Sequence, residues 1–132
     1  AGTDPPKAAD RFLQMNGRAI YEFAVNAVPE AVRTSAERAG ISVADIDFVV
    51  PHQANIRIIK AAADRLGLRP DQLVTNVDEM GNTSAASIPL ALWQALKLGR
   101  IKKDSILCLV GFGGGLTWGA AIVKWDAVDI RC

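Results

Sequence analysis

Apolar residues recur near helical spacing in the first third of the chain. Between residues 18 and 39 they fall on one side of a helix, at Ile20, Phe23, Ala27, Ala31 and Val32. Gly40 follows as a residue of the kind that ends helices. Pro29 interrupts the predicted helix. Because proline removes one amide donor and crowds the preceding turn, we expect a kink or two abutting helices there.

Short apolar runs and amphipathic stretches then alternate. The continuous apolar run at residues 46–50 predicts a strand that is covered on both faces, and residues 73–77 predict a further short strand. Helical spacing predicts helices over residues 55–66, stopped by Gly67, and over residues 84–98.

The last third of the chain predicts a hairpin. Two strands, at residues 105–111 and 116–124, are joined by Phe112 and three glycines. So short a connection joins antiparallel strands, because parallel neighbours need a long crossover. With the alternating helices and strands before it, the hairpin predicts a layered α/β domain with a mixed sheet flanked by helices.

The composition is that of a soluble globular protein. The 132 residues are 50% hydrophobic and 22% charged, and the net charge is +1. No basic block indicates nucleic-acid binding, no apolar stretch reaches the roughly 18 residues of a membrane span, and no signal-peptide pattern opens the chain. We therefore expect a cytoplasmic protein with one domain at residues 11–125, a loop or irregular start at residues 1–10, and a tail at residues 126–132.

Cysteine and histidine are few. Cys108 lies inside an apolar run and Cys132 is the last residue, so we expect no disulfide framework. His52 is the one histidine, and the chain has no Cys-x-x-Cys pair and no clustered carboxylates. We expect no metal site.

Two polar clusters follow the predicted strands and open the next helices. Residues 51–55 contain His52, and residues 81–87 contain Asn82. Ligands bind at the carboxyl ends of strands in open α/β sheets, so both side chains can face one pocket. Two neutral donors that converge there on one carbonyl oxygen would form an electrophilic clamp. The simpler interpretations are a histidine bonded to a backbone carbonyl and an asparagine that caps a turn or helix.

The glycine run after Phe112 does not fit a phosphate loop. Gly111-Phe112-Gly113 begins the dinucleotide pattern, but Leu116 stands where the next glycine is required, and a strand follows instead of a helix. The run is either a purely structural hairpin turn or a turn whose unshielded amides approach a ligand, with Phe112 as a wall.

Three long motifs together resemble the C-terminal half of the ketoacyl-acyl-carrier-protein synthase III family, condensing enzymes with the thiolase fold. They are VPHQANIRI at residues 50–58, GNTSAASIP at residues 81–89 and GFGGGLTWG at residues 111–119. The resemblance covers residues 11–125. It implies a Cys-His-Asn site that condenses an acyl-CoA with malonyl-acyl carrier protein. No cofactor is implied, because the CoA thioester and the phosphopantetheine of the carrier protein are substrates.

The resemblance also implies roles for single residues. His52 and Asn82 would stabilise the enolate that forms when the malonyl thioester loses CO2. Gly114 would hold the acyl carbonyl oxygen, and Phe112 would border the nucleophile. Asn55, Gly17 and Tyr21 match family positions that bind pantetheine. Arg57 and Gln53 match positions that bind the carrier protein. The alternative for Arg57 is a charged residue on a solvated helix face.

One catalytic residue of the family has no counterpart here. The nucleophilic cysteine lies in the N-terminal half, at the start of a helix that lowers its pKa. Cys108 matches an interior strand position and Cys132 lies beyond the likeness. We therefore expect a matching N-terminal half as partner, an inactive isolated chain and, as the family implies, a homodimer of the full enzyme. We also expect the sheet to lack its central first strand, which would expose edges.

Two other functions fit parts of the pattern. One is a non-enzymatic module that binds CoA or a carrier protein and has lost the nucleophile. The joint presence of His52 and Asn82 favours a catalytic parent, because a binding module need not keep both. The other is a malonyl decarboxylase that uses only these two residues. Thiolase chemistry is not favoured, because residues 111–115 lack the second cysteine that thiolases generally use.

Overall fold

The computed structural model of the protein describes residues 15–126. Over these residues four α-helices and three strands follow one another in the order α1, β1, α2, α3, α4, β2, β3. Their bounds are α1 Gly17–Arg38, β1 Phe48–Pro51, α2 Ile56–Leu66, α3 Val77–Met80, α4 Ser87–Lys97, β2 Ile106–Gly113 and β3 Thr117–Lys124. The predictions for residues 1–10 and for the tail after Asp126 lie outside the described residues.

Helix α1 runs without a break through Pro29. It begins at the N-cap Asn16, whose side chain accepts the amide of Ala19 at 3.1 Å. Proline at position 29 cannot bond to the carbonyl of Val25, one turn earlier. Arg65 of α2 donates to that carbonyl at 3.3 Å instead. The helix is continuous, so the prediction of two abutting helices is wrong, whereas the kink stays a prediction.

The three strands form one mixed sheet in the order β1-β2-β3. Strand β1 pairs with β2 in parallel, and β2 pairs with β3 in antiparallel along eight residue pairs. The predicted hairpin is confirmed. The expectation of a missing central strand is wrong for the described sheet, since β2 occupies its middle position and is paired on both sides.

The strand predicted at residues 73–77 is reduced to a single bridge. Leu73 pairs with Val49, and the amide of Val74 donates to the carbonyl of Val49 at 2.9 Å. The chain then leaves the sheet, because the amide of Asn76 bonds to the side chain of Gln53 at 3.0 Å. Helix α3 begins at the next residue, Val77.

The core lies on both faces of the sheet. Val49, Cys108 and Val110 pack with α1 and α2 on one face, whereas Val50 and Leu107 pack with α4 on the other. Successive strand residues thus alternate between two helical layers. This confirms the predicted α/β class with helices flanking a mixed sheet.

Parallel pairing brings the carboxyl ends of β1 and β2 to the same edge of the sheet. Pro51, the last residue of β1, stands opposite Val110, so His52 and Phe112 both follow at this edge.

No helix within residues 15–126 is both long and apolar enough to cross a membrane.

Candidate active site

His52 is held at the end of β1 by its backbone and its ring. Its amide donates to the carbonyl of Val110 at 2.7 Å, which continues the pairing of β1 with β2. Its side chain is partly buried, and Nδ1 lies 2.5 Å from Oγ of Ser87. The ring therefore rests on the first residue of α4, and no backbone carbonyl of residues 15–126 is bonded to it.

Ser87 joins two segments that are distant in sequence. It is buried at the start of α4, and its Oγ accepts the amide of Gln53 at 3.2 Å in addition to its bond with His52. The hydroxyl thereby links the chain after β1 to the first turn of α4.

A cleft of about 340 Å³ opens beside His52. The ring of Phe112 stands edge-on to the imidazole, with 5.4 Å between ring centroids. The remaining walls come from the end of β2 and from the loop before α4, and the lining residues are His52, Ser84, Ala85, Ser87, Ile88, Gly111, Phe112 and Gly113. The structure thus brings together the histidine, the aromatic residue and the two motifs at residues 81–89 and 111–119.

Asn82 does not line this cleft. Its side chain is exposed, and Oδ1 accepts the amide of Ser84 at 3.0 Å, which is an Asx turn. The geometry matches the capping interpretation of this residue. The turn uses only Oδ1 of the side-chain amide. An electrophilic clamp would require the other atom, Nδ2, as donor.

Gly114 lies in the turn between β2 and β3, outside the cleft-lining residues. It is exposed, and its carbonyl accepts the hydroxyl of Thr117 at 3.2 Å. Phe112 therefore contacts His52 in the cleft, whereas Gly114 lies at the tip of the hairpin.

Gln53 is a structural residue, and its predicted contact with a carrier protein is wrong. Its side chain is 0% exposed. Nε2 donates to the carbonyls of Pro51 at 2.7 Å and Val74 at 3.3 Å, and Oε1 accepts the amide of Asn76 at 3.0 Å. A side chain with these bonds has no surface to offer a partner.

The other predicted binding residues lie at the beginnings of two helices. Gly17 and Tyr21 are exposed in the first turns of α1. Asn55 and Arg57 are exposed at the start of α2, where Asn55 acts as N-cap and accepts the amide of Arg57 at 2.8 Å. None of the four lines the cleft at His52.

Burial favours the uncharged form of two side chains, His52 and Cys108. It lowers the pKa of the His52 imidazole from its ordinary value and raises the pKa of the Cys108 thiol to about 12. Cys108 is fully buried in β2 and so is unsuited to be a nucleophile. Cys132 lies outside the described residues.

Within residues 15–126, no group of three histidine, cysteine or carboxylate side chains is placed to hold a metal ion.

Ser87 is the site residue that the sequence pattern did not single out. It is the last residue of the polar cluster at residues 81–87, in which Asn82 is the predicted site residue. A signal was present, because the buried residues of α4 are Ser87, Ala91 and Ala95, spaced four apart. That spacing puts the serine on the buried face of the helix.

The sequence profile described as 3-oxoacyl-[acyl-carrier-protein (ACP)] synthase III C terminal matches residues 36–125. The chain belongs to this family. It is 54% identical over 113 residues to the beta-ketoacyl-[acyl-carrier-protein] synthase III of Staphylococcus epidermidis, covering 86% of this chain and 36% of that relative. The chain therefore spans about a third of the length of the synthase III proteins that it matches.

Solved structures of synthase III proteins share the fold. The enzyme from Thermus thermophilus matches with a TM-score of 0.84 and 50% identity, over 86% of this chain and 35% of that chain. The enzyme from Pseudomonas aeruginosa matches with a TM-score of 0.88 and 40% identity, over 98% of this chain and 40% of that chain. The described residues are thus a thiolase-like α/β fold of the synthase III kind.

Proposed function

We propose that this chain supplies the histidine and asparagine part of a 3-oxoacyl-ACP synthase III active site, which condenses an acyl-CoA with malonyl-ACP to start fatty acid synthesis. The observation that carries the proposal is the cleft beside His52, in a chain that belongs to this family. That cleft is lined by residues of three motifs that resemble those of the family and follow one another in the same order.

His52 would act on the malonyl thioester as a hydrogen-bond donor. Loss of CO2 leaves an electron pair that is delocalised onto the thioester oxygen, and a donor fixed beside that oxygen stabilises the charge. Burial lowers the pKa of His52, so the imidazole is neutral at neutral pH and donates one hydrogen bond.

Asn82 would supply the second donor through Nδ2. Its Oδ1 is engaged by the amide of Ser84, which orients the side-chain amide with the nitrogen on the other side. In the proposed site Nδ2 and His52 donate to the same thioester oxygen.

The nucleophile would come from a matching N-terminal part. Its cysteine thiolate attacks the acyl-CoA carbonyl, forms an acyl-cysteine and releases CoA as a thiolate, which takes up a proton from solvent to become the thiol. The malonyl-derived carbanion then attacks that acyl carbon and forms the new carbon–carbon bond. The cysteine leaves as thiolate, and the products are ketoacyl-ACP and CO2.

Binding roles follow from position. Gly114 offers an exposed backbone amide for the acyl carbonyl oxygen, and Gly17, Tyr21 and Asn55 would contact the pantetheine arm. Arg57 is exposed beside Asn55, where a cation would speed the approach of an acidic carrier protein more than it would tighten binding.

The remaining family properties are part of the same proposal. The full enzyme is a homodimer that acts in the cytoplasm. It uses CoA thioester and carrier-bound phosphopantetheine as substrates, with no resident cofactor.

The test combines the chain with the matching N-terminal part of a synthase III. Ketoacyl-ACP formed from acetyl-CoA and malonyl-ACP is measured by mass spectrometry. We expect product from the combination and none from either part alone. The single variants His52→Ala and Asn82→Ala should each react about 10²–10³-fold more slowly, which is the usual effect of losing one donor to a developing oxyanion.

Asn26→Ala is a matched control, since Asn26 is exposed on α1 and away from the cleft. It should retain the parent rate. A folded combination that makes no product, or makes it equally well without His52, would contradict the proposal. Tight CoA binding by this chain alone in a calorimeter, with no turnover in the combination, would favour the non-enzymatic binding module.

A further inference from the structure

Among the described residues, the Ser87 hydroxyl has one acceptor for its own hydrogen bond. Ser87 is 1% exposed, so water does not compete for this group. Its Oγ accepts the amide of Gln53, and it is also bonded to Nδ1 of His52 at 2.5 Å. Among residues 15–126, Nδ1 is the one acceptor found for the hydroxyl proton. The hydroxyl therefore donates to the ring.

The direction of this bond decides where the ring carries its proton. A neutral imidazole has one N–H donor and one acceptor nitrogen. If Nδ1 accepts from Ser87, the proton is on Nε2. The opposite arrangement would aim two N–H donors at Oγ and leave the hydroxyl proton buried without an acceptor, which native structures rarely tolerate.

We propose that Ser87 is a positioning residue that holds His52 in the tautomer protonated at Nε2, so that this nitrogen donates into the cleft beside Phe112. The proposal rests on the proposed function, in which His52 stabilises an enolate oxygen. It assigns His52 the role of donor in its neutral form, and it makes that role depend on the first residue of α4.

The single histidine of the chain makes the tautomer directly measurable. In the full 132-residue chain labelled with ¹⁵N, both imidazole nitrogen signals belong to His52. Long-range ¹H–¹⁵N correlation spectra at neutral pH distinguish a protonated ring nitrogen from an unprotonated one. We expect Nε2 protonated and Nδ1 unprotonated. A ring protonated at Nδ1, or an even mixture, would overturn the proposal without any need of a variant.

Substitutions at position 87 separate the hydroxyl from the packing. Ser87→Ala should lower the ratio of the two tautomers about five-fold, the factor that one net hydrogen bond supplies. Ser87→Thr keeps the hydroxyl and should keep the parent tautomer. Ser35→Ala is the matched control, because Ser35 donates a hydroxyl bond to the carbonyl of Ala120, away from His52.

A folded Ser87→Ala chain with the parent tautomer ratio would refute the role of Ser87, and so would a folded Ser87→Thr chain with mixed tautomers. If Ser87→Ala does not fold, the parent and Ser87→Thr spectra decide. The same variants in the combined enzyme should show a lower kcat with little change in KM, restored by threonine.

The two proposals fail separately. The spectrum requires no activity, so an Nε2-protonated ring in an enzyme that forms no product would reject the condensation and retain the tautomer assignment. Product formation by an enzyme whose ring is protonated at Nδ1 would reject the role of Ser87 alone.

Discussion

His52 and Cys108 are shifted in opposite directions from their ordinary pKa values by the same cause, the loss of water around them. Desolvation disfavours the charged form of each group, so the imidazole gives up its proton more readily and the thiol keeps its own. Both are neutral at neutral pH. For His52 this is the state that donates a single directed hydrogen bond.

The lowered pKa of His52 predicts how stability depends on pH. In the unfolded chain the pKa of this imidazole is about 6.5, and in the folded chain its pKa is lower. The unfolded state therefore takes up the proton first as pH falls. The free energy of unfolding should be constant above the pKa of His52 in the unfolded chain. It should decrease as the pH falls from that pKa toward the lower pKa of the folded chain.

Urea unfolding at a series of pH values measures this dependence. The matched control is His52→Gln, which does not titrate and should lose the decrease in this interval. A parent chain of constant stability across the interval, or an equal decrease in the glutamine variant, would show that burial of His52 is not the cause.

At the scale of single elements, α2 shows which features a sequence can predict. Its predicted range was residues 55–66, and the helix spans Ile56–Leu66 between the N-cap Asn55 and Gly67. Gly67 adopts a left-handed φ of +68°, which glycine accepts without strain. Both ends are specified by local chemistry, so both were predictable. The hairpin was predictable for the same reason, because a short glycine-rich connection leaves no room for another pairing.

Features that depend on distant partners were not predictable in this way. The strand at residues 73–77 ends early because Gln53 takes the amide of Asn76. The pattern placed His52 correctly at a strand end, yet it could not show that Ser87, 35 positions away, is bonded to the ring. For Asn82 the pattern allowed both a turn cap and a place in the pocket, and only the structure shows that its oxygen is used by a turn.

The capping of α2 gives a prediction for this element. Asn55→Ala removes the acceptor for the amide of Arg57 and should lower the free energy of unfolding by about 1 kcal/mol. Asn55→Ser keeps a short side-chain acceptor and should recover most of the loss. Chemical denaturation of the three chains measures the difference, and an alanine variant as stable as the serine variant would show that the cap contributes nothing.

At the scale of the molecule, β3 is an outer strand of the described sheet. It follows the exposed side chain of Leu116 and carries the exposed Trp118, which are 44% and 48% accessible. A strand with one unpaired side and apolar neighbours is suited to pair with or be covered by further chain. Because the synthase III relatives are about three times as long, we expect their N-terminal part to cover this strand.

Hydrogen exchange tests that expectation. In the combination with the N-terminal part of a synthase III, amides at residues 118–123 should exchange more slowly than in the chain alone. Residues 94–98, at the far end of α4, serve as internal control and should be unchanged. Equal exchange at residues 118–123 with and without the added part would mean that the contact lies elsewhere.

Gln53 connects the end of β1 to the segment that follows Leu73. Each of its three side-chain bonds ends on main-chain atoms, those of Pro51, Val74 and Asn76. Main-chain atoms are present whatever side chain a position carries. Natural sequence drift can therefore replace the side chains at positions 74 and 76, within the limits of their burial, and leave the connection intact, whereas position 53 must keep an amide that both donates and accepts.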